Sequence, residues 1–404
     1  MWTIGRTPLP SERPEEVIVP SPSISAATRW ALAIGCAVAV SNLYFLQPLL
    51  GQVARGFGVS ESRAGLATTL TQVGYALGML TIVPLGDIRE RRSLVLTMLG
   101  LTSVVALAMA AVPSFSLLLV LSLLLGFASC SPQLLVPFAA ELSSKETRGR
   151  VLGFVVSGLL LGILLARTVS GFIGAHLGWR AVYVMAAVLG VILAVFLRIL
   201  LPKSRPGERV PYPELMRSLL VLVREEPVLR ESAAYGALLF AAFSAFWTTL
   251  SFLLEPRGLG PDIVGLFGLV GAAGALAAPL AGRLADTSGP RRTILVGILV
   301  TTLSFAVMLQ SSIPALLIGV LLMDVGVQAA HVSNQSRYYS RRPESRSRMN
   351  TVYMTCYFIG GSLGSALGAW AWGAFGWPGV CAVGVGAGLL ALAVFVTRKP
   401  ETVP

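Results

Sequence analysis

The chain has 404 residues, of which 55% are hydrophobic and only 12% charged, and its mean hydropathy is +0.77. A soluble domain carries about 25% charged residues, so there is too little charge here to clothe a water-exposed surface, and lipid must cover the rest. The net charge of +12 would suit a nucleic-acid binder, but the basic residues fall in short clusters between long apolar runs, as in the loops of a membrane protein. No nucleic-acid partner is expected.

Residues 1–27 are polar and proline-rich, with Pro8, Pro10, Pro14, Pro20 and Pro22, and read as a disordered tail. No short apolar segment with a small-residue cleavage site opens the chain, so no cleaved signal is expected. A spanning helix needs about 20 mostly apolar residues. Spans are predicted over 28–50, 64–86, 93–113, 115–140, 151–175 and 179–200. A polar stretch follows, and residues 201–230 form the linker. Within it Leu215, Leu219, Leu220, Leu222 and Val223 alternate with Arg217, Arg224 and Glu225, the pattern of an amphipathic helix lying at the membrane surface. The second half, 231–404, has spans over 231–254, 263–285, 293–313, 314–335, 349–374 and 377–397. Tight joints at Pro113 and Pro314 make hairpins of spans 3–4 and 9–10. The fold class is thus an all-α membrane protein with twelve transmembrane helices in two six-helix bundles, 28–200 and 231–404.

Orientation follows from arginine and lysine in the loops. Arg89, Arg91 and Arg92, then Lys145, Arg148 and Arg150, then Arg283, Arg291 and Arg292, then Arg337 to Arg348 all fall on the side of the linker. The opposite side has only Arg55, Arg63, Arg180 and Arg257. Both termini are therefore expected in the cytoplasm. Cys36, Cys130, Cys356 and Cys381 lie apart inside apolar runs, and His176 and His331 are the two histidines, so neither a disulfide framework nor a metal site is expected. No cofactor is expected either.

The two halves repeat at an offset of about 198 residues. Glu146-Thr-Arg148-Gly-Arg150 answers to Glu344-Ser-Arg346-Ser-Arg348. Asp87 with Arg91 and Arg92 answers to Asp286 with Gly289, Arg291 and Arg292. Two such halves place a solute site at their interface. At these residues the chain resembles a major facilitator superfamily transporter, whose loop motif is matched by Gly282, Asp286, Gly289 and Arg291 and in part by Asp87, Arg91 and Arg92. Val83 and Glu90 stand where that motif has glycines. Two further segments are similar to the twelve-span drug:proton antiporter branch, near its sugar- and purine-efflux members: Asn42 to Leu50 and Glu141 to Gly149. The glycine-rich span 5 (Gly158, Gly162, Gly171, Gly174) is like that branch's antiporter motif without its proline. The resemblance implies proton-coupled efflux of a small organic solute by alternating access, in a bacterial inner membrane. Proton-coupled or facilitated uptake of a metabolite is the alternative, and a solute-sensing receptor the reading from another class. No ATP-binding loop and no nucleophile–base pair suggests a pump or an enzyme. Nothing requires more than a monomer.

A charge at mid-bilayer costs several kcal/mol, so the deep charges are informative. They are Arg167 in span 5 and Asp324 in span 10, about 12 and 15 Å from the ends of their spans at the helical rise. Asp324 is the expected protonation site, with Arg167 as its partner; a static ion pair between the halves is the structural alternative. Gln328, His331 and Gln335 share one helix face with Asp324, and His331 is a candidate proton relay. Candidate solute ligands are Asn42, Tyr44 and Gln47 in span 1, Gln133 in span 4, Phe243 and Trp247 in span 7, and Tyr353 and Tyr357 in span 11. Aromatic walls with few polar groups suit amphipathic or apolar solutes. Candidate gating residues are Asp87, Arg91, Arg92, Glu141, Arg148, Asp286, Arg291 and Arg348. Asp87 is expected near the start of span 11 and Asp286 near the start of span 5, where helix N-termini favour carboxylates. Glycines of spans 8 and 11 (Gly268, Gly271, Gly274; Gly360, Gly361, Gly364, Gly368) are expected at sliding contacts between the halves.

Overall fold

The computed structural model describes residues 24–144, 146–203, 210–275, 289–342 and 345–398. Among them every regular element is helical. Serines start several spans by accepting the orphan N–H groups of a first turn: Ser60 from Arg63, Ser114 from Leu117 and Ser312 from Ala315.

Span 1 is not one helix. It runs Ala26–Ser41, unwinds, forms a 3-10 turn at Gln47–Leu49 where Pro48 lacks an N–H, and resumes as Leu50–Phe57. Span 2 is Glu61–Thr81, ending in a 3-10 turn at Val83–Asp87. Span 3 is Arg91–Ala110. Span 4 also breaks, between Phe115–Ala128 and Pro132–Leu142. Span 5 is Arg148–Leu177 and span 6 Trp179–Leu200. The linker contains an amphipathic helix, Tyr212–Glu225, that buries Leu215, Leu219 and Leu222. Span 7 is Pro227–Leu254 with the turn Glu255–Arg257, and span 8 is described over Pro261–Ala275. Span 9 is Pro290–Met308 and span 10 Ile313–Tyr339. Arg346–Thr397 is two spans, 11 and 12, parted at Gly376, whose φ of 64° and ψ of −152° only glycine adopts readily.

The two bundles are built alike. In the first, span 5 lies against span 1 so closely that a Cβ on Gly158 would meet the Ala33 carbonyl at 2.5 Å, and one on Gly162 the Ala37 carbonyl at 2.4 Å. In the second, Gly360 meets Ala237 at 2.2 Å and Gly364 meets Ala241 at 2.0 Å. Gly368 likewise sits on Ala245. This corrects the expectation for span 11: its main glycine row packs within its own half, backbone on backbone, and Gly361 alone of that row meets span 2, at Gln72. Gly268 of span 8 does face the other half, against Arg167.

These contacts give a matched pair of substitutions. Gly364→Ala puts a methyl into a carbonyl and is expected to destabilise the protein by about 1–3 kcal/mol, whereas Gly153→Ala enters open space and should be neutral or slightly stabilising through helix propensity. Thermal unfolding in detergent of the two variants beside the parent checks this; equal melting temperatures would contradict the packing.

Candidate functional site

Spans 1 and 4 break near their middles, and a broken helix can turn polar groups inward. Arg167 is 2% exposed. Its Nε donates to Gln47 Oε1 at 2.7 Å, which the turn after the break in span 1 brings across from span 5. The guanidinium lies 4.0 Å from the ring centre of Trp247, 4.6 Å from Tyr44 and 5.5 Å from Phe243. A cation over aromatic faces is favoured, and more so where water is excluded. Span 1 and span 7 thus supply a box for the span 5 cation. One nitrogen, Nη2, is buried with no acceptor.

Asp324 stands apart from this box. Its Oδ2 is enclosed without a donor, and a Cβ on Gly271 would touch that oxygen at 3.0 Å. Arg167 and Asp324 make no direct ion pair, the static arrangement that is the structural alternative, although their charges lie near enough to act on one another. The guanidinium finds its contacts in Gln47 and three rings, with Nη2 left without an acceptor.

The aromatic wall continues from the box. Phe240 stacks on Phe243 at 5.4 Å and on Tyr357 at 4.0 Å. His331 Nδ1 lies 3.0 Å from the Tyr353 hydroxyl, and its ring is 5.0 Å from Tyr357. Phe358 of span 11 meets Tyr75 of span 2 at 4.4 Å, and the Tyr75 hydroxyl accepts from Gln133 at 3.3 Å. The structure therefore gathers Tyr44, Gln47, Gln133, Phe243, Trp247, His331, Tyr353 and Tyr357 along one connected wall. Gln328 lies half-buried one turn after Asp324. Asn42 does not reach across: its amide donates to Val38 and Ala39 carbonyls of its own helix, the groups freed where span 1 unwinds, and its Oδ1 is buried without a partner.

At the end of the bundle that carries the linker, Arg91 joins Asp87 at 3.0 Å, Glu141 at 2.8 Å and the Gly86 carbonyl at 2.9 Å. Asp87 thus bonds within its own half, and the turn Val83–Asp87 that carries it also packs against Arg346–Thr397 of the other half. Arg92 donates to the Leu201 carbonyl, Arg291 to the Phe395 and Arg398 carbonyls, and Arg348 to Ser345. Arg148 is exposed. Asp286 and Gly282 lie outside the described residues. Arg342 in the 10–11 loop bonds Glu225 at 3.1 Å and also pairs with Glu226, and these acids, Glu225 first, push its guanidinium above its ordinary range.

The sequence reading missed several polar contacts. Glu231 and Arg337 form a buried ion pair at 2.7 Å with Tyr235 donating to the same carboxylate; by sequence Glu231 is the first residue of a predicted span and Arg337 one of the loop charges. At the far end, Arg55 pairs with Glu255, and Trp372 donates to Glu61 at 2.6 Å. Between that end and the centre, Thr69 donates to Ser365 at 3.2 Å, Gln72 to Ser244 at 3.3 Å and Thr168 to the Gly265 carbonyl at 2.9 Å. Each bridges the halves. An uncharged glutamine inside an apolar run was the available signal for Gln72.

The model of the Major Facilitator Superfamily matches residues 32–275 and 233–404, so it covers both halves. The chain belongs to the Major Facilitator Superfamily. It is 41% identical over 380 residues to YgaY, an uncharacterized transporter of Escherichia coli K12, covering 93% of this chain and 96% of that one. To a Streptomyces coelicolor protein named as a transporter it is 35% identical over 387 residues, 93% and 90% of the two chains. Among solved structures, an inward-facing bacterial homolog of the human lysosomal transporter Spinster aligns with a TM-score of 0.70 at 16% identity, over 91% of this chain and 93% of that one. The human organic anion transporter TETRAN aligns at 0.69 and 19% identity, over 91% and 99%. At these identities the structures speak for the fold alone. The relatives support transport by this superfamily fold.

Two outcomes are expected. Gln47→Leu strips Arg167 of its side-chain acceptor and should lower stability by about 1–3 kcal/mol, while Gln47→Glu keeps an acceptor and should not; melting temperatures in detergent decide. Removing both far-end polar contacts, in Glu255→Gln with Trp372→Phe, should speed amide exchange about two- to thirtyfold over 51–65 and 366–376, since contacts of this kind contribute about 0.2–1 kcal/mol each. Unchanged exchange would mean that apolar packing alone holds that end shut.

Proposed function

We propose that this superfamily member is a proton-coupled exporter of a small organic solute, exchanging solute for protons by alternating access. The observation that carries the reading is the unpaired carboxyl of Asp324. A carboxylate locked to Arg167 would be a strut. One whose Oδ2 has no hydrogen-bond partner and lies where a Cβ on Gly271 of span 8 would come within 3.0 Å can gain a proton when dry and lose it when water reaches it. Arg167 holds the fixed charge beside it and ties span 5 to spans 1 and 7. His331, bonded to Tyr353 on the linker side of Asp324, is the candidate relay. The resemblance of residues 42–50 and 141–149 to drug:proton antiporters supports export over uptake.

The solute site in this reading is the wall of Tyr44, Gln47, Gln133, Phe243, Trp247, Gln328, Tyr353 and Tyr357, with Asn42 at its edge, and it takes an amphipathic or apolar solute. Asp87, Arg91, Arg92, Glu141, Arg148, Asp286, Arg291 and Arg348 act as the gate at the linker end. That end is cytoplasmic, with both termini, and the protein works as a monomer in a bacterial inner membrane. Residues 28–200 and 231–404 move as two bodies about the linker 201–230.

The test is transport in proteoliposomes under an imposed pH gradient, with a panel of drugs, sugars and purines. The parent should move a solute against its gradient as protons flow the other way. Asp324→Asn should keep solute exchange and lose the drive. A mutant driven as well as the parent removes Asp324 from coupling, and a solute that travels with the protons makes the protein an importer.

A further inference from the structure

The second bundle carries a groove on its membrane face that the first bundle fills. It has a volume of about 610 Å³ and runs between spans 7, 11 and 12. Its walls are apolar, with Ala234, Ala237 and Ala241 on one side, Gly386 and Leu390 on another and Leu363 between. Leu363 and Leu390 are each 59% exposed, so the groove opens toward lipid. A Cβ on Gly386 would meet nothing within 4 Å.

Internal symmetry shows how the two halves differ at this place. Gly158 on Ala33 in the first half corresponds to Gly360 on Ala237 in the second. Three residues before Ala33 is Trp30, and four before Gly158 is Phe154; these two pack edge to face at 4.8 Å across spans 1 and 5. At the matching places the second half has Ala234 and Cys356, and both line the groove. Two large rings in one bundle are thus replaced by a methyl and a thiol in the other.

The groove begins at the linker end. Val223 of the linker helix and Leu229 and Arg230 of span 7 form its mouth, and Arg230 is the single charged residue along it. Arg230 is exposed and uses Nη1 to hold the Val223 and Arg224 carbonyls at the end of the linker helix. Arg217 and Arg224, also exposed, stand on that helix. From Val352 to Leu367 the lining of span 11 covers about 22 Å at the helical rise, somewhat more than one leaflet of a core about 30 Å thick. A basic mouth at the membrane surface over an apolar slot one chain long is complementary to one kind of molecule.

We propose that this groove is a binding site for an anionic glycerophospholipid, one acyl chain lying in the slot between spans 7, 11 and 12 and the phosphate against Arg230. The lipid stands where the Trp30–Phe154 pair stands in the other bundle and pins the linker helix to span 7. The proposal is independent of solute and proton coupling.

Native mass spectrometry of the full chain in detergent, titrated with phosphatidylglycerol or with phosphatidylcholine of the same chains, tests it. The parent should retain one phosphatidylglycerol with a preference of about fivefold over phosphatidylcholine, the order expected of one interfacial arginine. Arg230→Gln should bring the two lipids level while the apolar slot still retains either. Gly386→Leu, which fills open space, should lose both without lowering the lipid-free melting temperature. Equal retention of the two lipids by the parent overturns the headgroup assignment, and retention by Gly386→Leu equal to the parent's overturns the groove.

Discussion

A guanidinium held in the middle of a bilayer-spanning bundle is the constraint around which the centre of this protein is arranged. An unsolvated charge there costs several kcal/mol, and the chain meets that cost with groups from three spans. Span 5 carries Arg167, the break in span 1 turns Gln47 toward it, and span 7 lays Trp247 and Phe243 over it, with Tyr44 completing the enclosure. Spans 1 and 5 belong to one half and span 7 to the other. The cation therefore fastens the halves together at mid-depth, and it does so with an amide and π faces, not with a carboxylate.

That choice has a consequence for Asp324. A buried ion pair is costly to part, since removing one partner strands the other. In the proposed reading the Asp324 carboxyl, which makes no direct bond to Arg167, changes its protonation without breaking the arginine's contacts to Gln47 and the rings. The linker end is arranged differently. There Arg91 with Asp87 and Glu141, and Arg337 with Glu231, are paired charges, and they lie within single halves, where they stiffen each bundle.

Much of this architecture is legible in the sequence, because twelve apolar runs of spanning length and a lopsided distribution of arginine have few other physical meanings. The depth of Arg167 and Asp324 is legible for the same reason. What surrounds them is not. Gln47 and Arg167 are 120 residues apart, and no periodicity within either span announces the contact. Hydropathy averages over the unwound residues after Ser41 and around Cys130, so the breaks that aim the polar groups pass unseen. Glycine rows show that helices approach closely but not which helices: span 11 spends most of its row on span 7 and meets span 2 through Gly361, Ser365 and Phe358. Glu231 and Arg337 look like surface charges until span 7 is seen to begin at Pro227 and span 10 to reach Tyr339, which places both inside the bundle.

Close backbone contacts and weak polar ones are mixed at the seam between the halves, and this bears on motion. Within each half, glycine lets backbone meet backbone along spans 1 and 5 and along spans 7 and 11, and between the halves Gly171 and Gly265 bring spans 5 and 8 together in the same way, at the Pro261 and Arg167 carbonyls. Between the halves the polar contacts are hydroxyls, single amides and one ion pair with a largely exposed arginine, Arg55. Exposed ion pairs contribute about 0–1 kcal/mol and a typical hydrogen bond about 0.5–1.5 kcal/mol. Two arrangements of such a protein can interconvert only if they differ by a few kcal/mol, and the polar contacts across the seam are each within that range. Under the proposed alternating access, the glycine contacts of spans 5 and 8 are the part of the seam that has to slide or part along with them.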